Sequence, residues 1–318
     1  MIWIPFLCLA VGLFFGLRNL SEKVMMMIDK LINAALMILM LTIGLNIGIN
    51  DSVMLNLPRI GLNCVVISLS AIALSVLFTL LTEKTLLPLD TFIERLNRDT
   101  SSELNPVCSE AESSEKSSPL LWIIPLSIVA GVVLGYFLFP SNLGFVLGYL
   151  LTGSLVVLYT SVGISLGANR RVLRYIKLLG FRVIYLSVAI FAGSIAAGFL
   201  SGILLNLPLK IAVMSASGMS YYSITGAYMT QVYGIEAGTY GFVVNVMREF
   251  FTVLLLPLLI KVSKGSSIAG GAAGNMDTML VPVTKLVGTE IGLVALITGT
   301  ILTFAVPFLL PLLFHAFP

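Results

Sequence analysis

The sequence predicts an all-α polytopic membrane protein with about eight transmembrane helices and two re-entrant or broken segments. Three observations predict it. The 318 residues are 58% hydrophobic and only 10% charged, with a mean hydropathy of +1.05, whereas a soluble domain carries roughly 25% charged residues. Several apolar stretches approach or exceed the roughly 18 to 20 residues that carry a helix across a bilayer. Lys and Arg fall mostly in alternate connections, the bias that orients polytopic chains.

The apolar segments fall at about 1–17, 31–50, 61–82, 120–139, 144–167, 178–205, 235–260 and 288–314. Each is read as a spanning helix. The stretch from Met1 to Leu17 is uncharged. It lacks the basic region and small-residue cleavage site of a secretory signal and reads as a retained first helix. Residues 83–119 hold 12 charged residues. From about 99 onward they are Ser/Glu-rich with little to bury, which reads as a disordered linker. Pro88 to Asn97 has the pattern of a short interfacial helix, although a plain spacer accounts for it more simply.

The linker separates two similar units, 1–82 and 120–205. A shift of 119 places Gly12 on Gly131, Gly16 on Gly135, Gly44 on Gly163 and Gly48 on Gly167. The hydropathy order matches as well, which reads as an internal repeat. Each unit has three crossings, so the second enters the membrane from the opposite side, giving an inverted repeat. The remaining residues, 206–318, are read as a hairpin-containing core with two further spanning helices.

With eight crossings, one side receives Arg18, Lys23, Lys30, Lys84, Arg95, Arg98, Lys116, Arg170, Arg171, Arg174, Lys177, Lys261, Lys264 and Lys285. The other receives Arg59 and Lys210, while Arg182 and Arg248 fall within segments. The first side is therefore expected to be cytoplasmic and both termini periplasmic. This split favours re-entrant readings of 207–233 and 266–286 over full crossings.

Residues 215–226 read SASGMSYYSITG, a run of hydroxyl groups and glycines poorly suited to face lipid. Broken backbone survives in a membrane where protein or a wet cavity satisfies it. Ser217, Ser220, Tyr221 and Ser223 are therefore candidate pathway residues, the competing reading being a small-residue packing face. Residues 269–285 read AGGAAGNMDTMLVPVTK and suit the tip of a hairpin, with Asn275, Asp277 and Thr278 near it. Phosphate-loop and dinucleotide spacings are absent from it. The start of 216–260 resembles that of 272–314, with Ala216, Ser217 and Gly218 set against Ala272, Ala273 and Gly274.

Arg248 and Glu249 stand inside the apolar run FVVNVMREFFTVLLLP. A charge deep in lipid costs at least about 2.5 to 3.5 kcal/mol, so both should face protein or a wet path. Asn245, Glu249 and Thr252 share one helical face. Arg248 could pair with Glu249, with another acid or with a substrate carboxylate, or it could belong to a buried pair that fixes packing. Asn46, Asn50 and Asp51 sit at the expected end of the second helix, where a lone acid is more often interfacial and solvated.

The segments LTIGLNIGIND (41–51), SASGMSYYSITG (215–226), NVMREFFTVLLLP (245–257) and GNMDTMLVPV (274–283) resemble the bacterial lysine exporter family. The resemblance covers most of the chain outside the linker. It implies an inner-membrane secondary transporter, driven by an ion gradient, that exports L-lysine and analogues such as thialysine. It also implies outward-facing termini and membrane acids at Asp51, Glu249 and Asp277, with Asn245 standing where an aspartate can occur in relatives. Proton antiport is the simplest coupling: a carboxylate vacated by lysine binds a proton and carries it back. The alternative is an exporter of another organic or inorganic cation.

An enzyme is not expected, because no Ser-His arrangement, His-rich cluster or paired-aspartate protease context occurs. The lone histidine, His315, sits near the end. Cys8, Cys64 and Cys108 have no metal-binding spacing and imply no disulfide framework. No cofactor, metal or nucleic-acid partner is expected. The partners are L-lysine, protons and the bilayer, and a homo-oligomer is compatible with the reading.

Overall fold

A computed structural model describes residues 4–18, 21–86, 120–138, 144–168, 183–276 and 278–316. Asp277, Arg182 and the linker from 87 to 119 lie outside the described residues. Among the described residues the regular structure is helical throughout. Six helical stretches are long and apolar enough to cross a membrane: Lys23–Ile49, Asp51–Thr85, Val146–Ser165, Val183–Leu204, Ile235–Val262 and Ile291–Ala316. Two shorter apolar ones are Leu7–Gly16 and Leu126–Phe137. Large apolar side chains face outward along them, such as Leu55, Phe137 and Leu204, an arrangement that suits lipid and not water. The protein is a multi-pass membrane protein.

Helices α1 (Ile4–Gly16), α2 (Glu22–Ile49) and α3 (Asp51–Thr85) are followed by α4 (Leu120–Phe137), α5 (Gly144–Ala168) and α6 (Val183–Leu204). Helix α3 starts about ten residues earlier than the apolar run suggests. The reason is Asn50, whose backbone ends α2 and whose Oδ1 accepts from the Val53 amide at 3.1 Å. Such an N-cap satisfies one of the free amides at a helix start. Asp51 is consequently the first residue of α3 and not the last of α2.

Helix α1 packs on α5, α2 on α4, and α3 on α6. The first two pairings are made through glycine. A Cβ at Gly12 would run into the Thr160 carbonyl and Gly163, and one at Gly16 would meet Ile164 and Gly167. Gly44 meets Ile128 and Gly131 in the same way, and Gly48 meets Val132 and Gly135. Close backbone approach through small residues is the usual glue of membrane helices. Both registers ascend together, so α1 runs parallel to α5 and α2 parallel to α4.

The rest of the chain forms two broken segments, each followed by a long helix. Helix α7 (Leu209–Ala216) and α8 (Tyr222–Tyr233) precede α9 (Ile235–Val262). Helix α10 (Lys264–Gly271), a 3-10 turn (Ala272–Met276) and α11 (Leu280–Val287) precede α12 (Thr289–Ala316). The first segment folds back on itself. The Ser215 hydroxyl of α7 lies 3.7 Å from the Met229 sulfur of α8, and Lys210 at one end stands 5.5 Å over the Tyr233 ring at the other.

Matched contacts recur in the two halves of this region. Thr230 presses on Gly238 and Thr284 on Gly292, while Gly234 and Gly288 start the long helices with φ of 90° and 103°. These pairs lie 54 positions apart, so the correspondence runs at 54 and not at the 56 that Ala216 and Ala272 suggest.

Candidate functional site

The site is built where the two broken segments meet α9. The first segment turns at Ser217–Tyr221, with Met219 and Ser220 at φ 50° and 72°. The second turns at Ala272, φ 49°. Non-glycine residues seldom occupy this region, and where they do the surroundings hold them there. Here the tips hold each other: the Ala273 amide donates to the Met219 carbonyl at 2.9 Å.

Asn245 of α9 fixes the first tip. Its side-chain amide donates to the Ser215 carbonyl at 2.9 Å and the Gly241 carbonyl at 2.7 Å, and its Oδ1 accepts from the Ser220 amide at 2.8 Å. Gly218 must be glycine because a Cβ there would collide with Asn245 and with the Thr225 hydroxyl. Asn275 does similar work at the second tip, donating to the Ile268 carbonyl at 2.7 Å. Its Oδ1 is buried without a hydrogen-bond partner, as are the hydroxyls of Ser217 and Ser220. Ser223 is buried beside them on α8.

Arg248, one residue before Glu249, is fully buried. Its Nη1 donates to the Ser194 hydroxyl of α6 at 2.9 Å. Its Nη2 donates to the Ser75 hydroxyl of α3 and the Ala269 carbonyl of α10, each at 3.1 Å. Its Nε points to the Gly270 carbonyl at 3.4 Å. Ala269 and Gly270 end α10, where carbonyls lack helical partners and the helix dipole favours a cation. One guanidinium therefore joins four elements. Ser75 and Ser194 also touch each other, 3.2 Å apart. Neither serine stands out by residue type. The signal that could have found them is their separation of 119, the repeat offset itself.

Glu249 is half-buried, and its carboxyl carbon would lie 3.7 Å from a Cβ at Gly274. A carboxylate thus sits against the second tip, three residues before Asp277, which lies outside the described residues. Thr278 follows, its hydroxyl reaching the Gly274 carbonyl at 3.3 Å. The structure brings together Asn245, Arg248, Glu249, Ser217, Ser220, Tyr221, Ser223, Asn275 and Thr278. It does not bring Asp51 to them. Asp51 is exposed at the start of α3. It precedes Ser75, the contact of Arg248, by 24 positions, roughly 36 Å of helix. Asn46 lies in α2, half-buried, its amide donating to the Thr42 carbonyl at 2.9 Å. Among the described residues no group of three or more His, Cys, Asp and Glu could hold a metal ion.

The model of one protein family, described as the lysine exporter LysO, matches residues 6–92 and 126–314. The chain belongs to this family. The lysine exporter LysO of Escherichia coli strain K12 is 30% identical over 188 residues, 58% of this chain and 62% of that protein. A putative lysine exporter of Haemophilus influenzae is 25% identical over 197 residues, 60% of this chain and 96% of that protein. The chain thus spans just under two thirds of its Escherichia coli relative. No solved structure matches it. The chain is thus a multi-pass membrane protein of the LysO family.

Proposed function

We propose that this protein exports L-lysine and analogues such as thialysine across the bacterial inner membrane by proton antiport. Family membership supports the substrate. The observation that carries the mechanism is Glu249 beside the broken backbone at Gly274. Lysine is a net cation and leaves against the membrane potential, so each turnover needs an opposing charge. A carboxylate that releases the lysine ammonium and takes a proton supplies that exchange. Asp277, two residues after Asn275, is the second carboxylate of this step, and Asp51 stands at the outer mouth. Arg248 holds the frame: its nitrogens already meet four protein oxygens, which favours packing over capture of a substrate carboxylate.

The same reading gives eight crossings, periplasmic termini and a cytoplasmic 83–119 linker. It includes an inverted repeat of 1–82 on 120–205, supported by the parallel runs of α1 with α5 and of α2 with α4. In a repeat of the same sense, α5 would run opposite to α1.

The test is counterflow in proteoliposomes holding this protein alone. Labelled lysine should exchange, and net lysine movement should drive protons the other way. If another cation moves and lysine does not, the cargo is wrong and a cation exporter remains. If no solute moves under an imposed pH gradient or potential, with folding verified, the transport mechanism is refuted.

A further inference from the structure

Among the described residues outside the site at the tips, two fully buried tyrosines have nothing to bond. Tyr159 of α5 and Tyr228 of α8 are each 1% exposed. Neither hydroxyl has a hydrogen-bond partner. A buried tyrosine normally finds one, so a pair of unsatisfied phenols is unusual. They also belong together. Tyr228, Tyr221 and Cys8 lie in the neighbourhood of Tyr159. Tyr221, Thr225 and Tyr228 follow one stripe of the first broken segment, at helical spacing. Helix α8 packs against both α5 and α2. The phenols therefore lie in the seam between the glycine-crossed helices and the segment that carries the first tip.

Packing alone does not call for hydroxyls here. At the offsets of 119 and 54, the counterparts of Tyr159 and Tyr228 are Met40 and Pro282. Met40 is fully buried, so an apolar side chain fills the corresponding turn.

We infer that Tyr159 and Tyr228, with Tyr221 beside them, form a subsite for the side-chain ammonium group of a primary-amine cargo. A primary ammonium carries three N–H donors and needs oxygen acceptors, which two unsatisfied phenols offer. Aromatic rings also attract a cation through their faces when it is stripped of water. An anion would meet the same faces unfavourably. The inference rests on the export reading above and deepens it: it names the end of the cargo that the seam reads, at residues separate from Glu249.

The experiment measures binding of labelled lysine to purified protein, competed by cadaverine, which has ammonium groups and no carboxylate, and by norleucine, which lacks the side-chain ammonium. Counterflow is recorded on the same preparations. Cadaverine should compete and norleucine should not. Tyr159→Phe together with Tyr228→Phe keeps the rings and removes both hydroxyls. It should weaken lysine binding at least tenfold and raise the KM of exchange more than it lowers the rate at saturation. Tyr228→Phe alone should shift binding by a smaller factor, and serves if the double variant unfolds. Unchanged lysine binding in a folded variant would overturn the subsite while wild-type exchange leaves the export reading standing. Competition by norleucine equal to that by cadaverine would overturn it too. Binding of cadaverine through the two phenols, in a wild-type protein that moves no lysine, would uphold the subsite and sink the export reading.

Discussion

Arg248 is the most consequential single side chain. A fully buried guanidinium is costly unless its donors are met, and here oxygens from α3, α6 and α10 meet them. Removing it would leave the carbonyls that end α10 buried without their donor. Arg248→Met should therefore lower thermal stability in detergent, by an amount on the order of 3 kcal/mol for charge-assisted bonds lost at several oxygens. Arg248→Lys should recover part of it, because one ammonium cannot reach oxygens on three helices at once. Ser75→Ala should cost about 1 kcal/mol. A melting temperature for Arg248→Met equal to that of the wild type would remove Arg248 from the frame and reopen a substrate role. Glu249 makes the opposite forecast. It stands beside the tip at Gly274 and is half-buried, so Glu249→Gln should fold at normal abundance and lose most lysine efflux. Asp277→Asn should do the same. Normal efflux from either well-expressed variant would exclude that carboxylate from the exchange. The roles of Arg248 and Glu249 could not be divided from sequence, because both sit in one apolar run and only the three-dimensional partners separate them.

Among the elements, the glycine-crossed pairs leave no room for a side chain, because backbone meets backbone. Gly44→Leu places a branched side chain against the Ile128 carbonyl, and Gly12→Leu does so against Thr160. Either should force the helices apart and abolish recovery of folded protein. Gly148→Ala and Gly153→Ala are the controls, since a Cβ there meets nothing within 4 Å. Both should be recovered at wild-type levels, and equal recovery of all four variants would count against the crossing. The sequence marked these glycines through their shared offset of 119 but not their partners: the offset sets Gly12 against Gly131, whereas its contact is with Gly163. Other features were hidden for physical reasons. The start of α3 depends on the Asn50 cap, which does not interrupt hydropathy. The contact of Ser75 with Ser194 uses residues that are common in membrane helices as ordinary packing. The correspondence of the two broken segments is misplaced by two positions when read from Ala216–Gly218. The matched Thr–Gly contacts that fix it are visible only once the helices fold back.

Across the whole molecule, side-chain contacts sort the charges onto two faces independently of the linker. Helices α3 and α9 run in the same direction: Asn63 bonds Tyr240 at 2.9 Å and, further along both, Ser75 bonds Arg248. Lys84 near the end of α3 and Lys261 near the end of α9 therefore emerge on one face. Lys264 follows Lys261 directly at the start of α10. At the other face, Lys210 stands over Tyr233, and the Tyr233 ring lies 5.3 Å from Phe314 near the end of α12. The beginning of α9, both ends of the first broken segment and the end of α12 thus share a face that carries few cations. Since Lys and Arg mark the cytoplasmic side, the crowded face should be cytoplasmic and His315 should lie toward the periplasm. Two single-cysteine proteins decide the matter in intact cells. One retains Cys108 alone, and the other carries His315→Cys with the native cysteines replaced. A membrane-impermeant maleimide should label position 315 in intact cells and Cys108 only after permeabilisation. The reverse pattern would invert the molecule and move Asp51 to the cytoplasmic mouth. Labelling of both positions in intact cells would break the chain of contacts that links α3 through α9 to α12, and with it the eight-crossing topology.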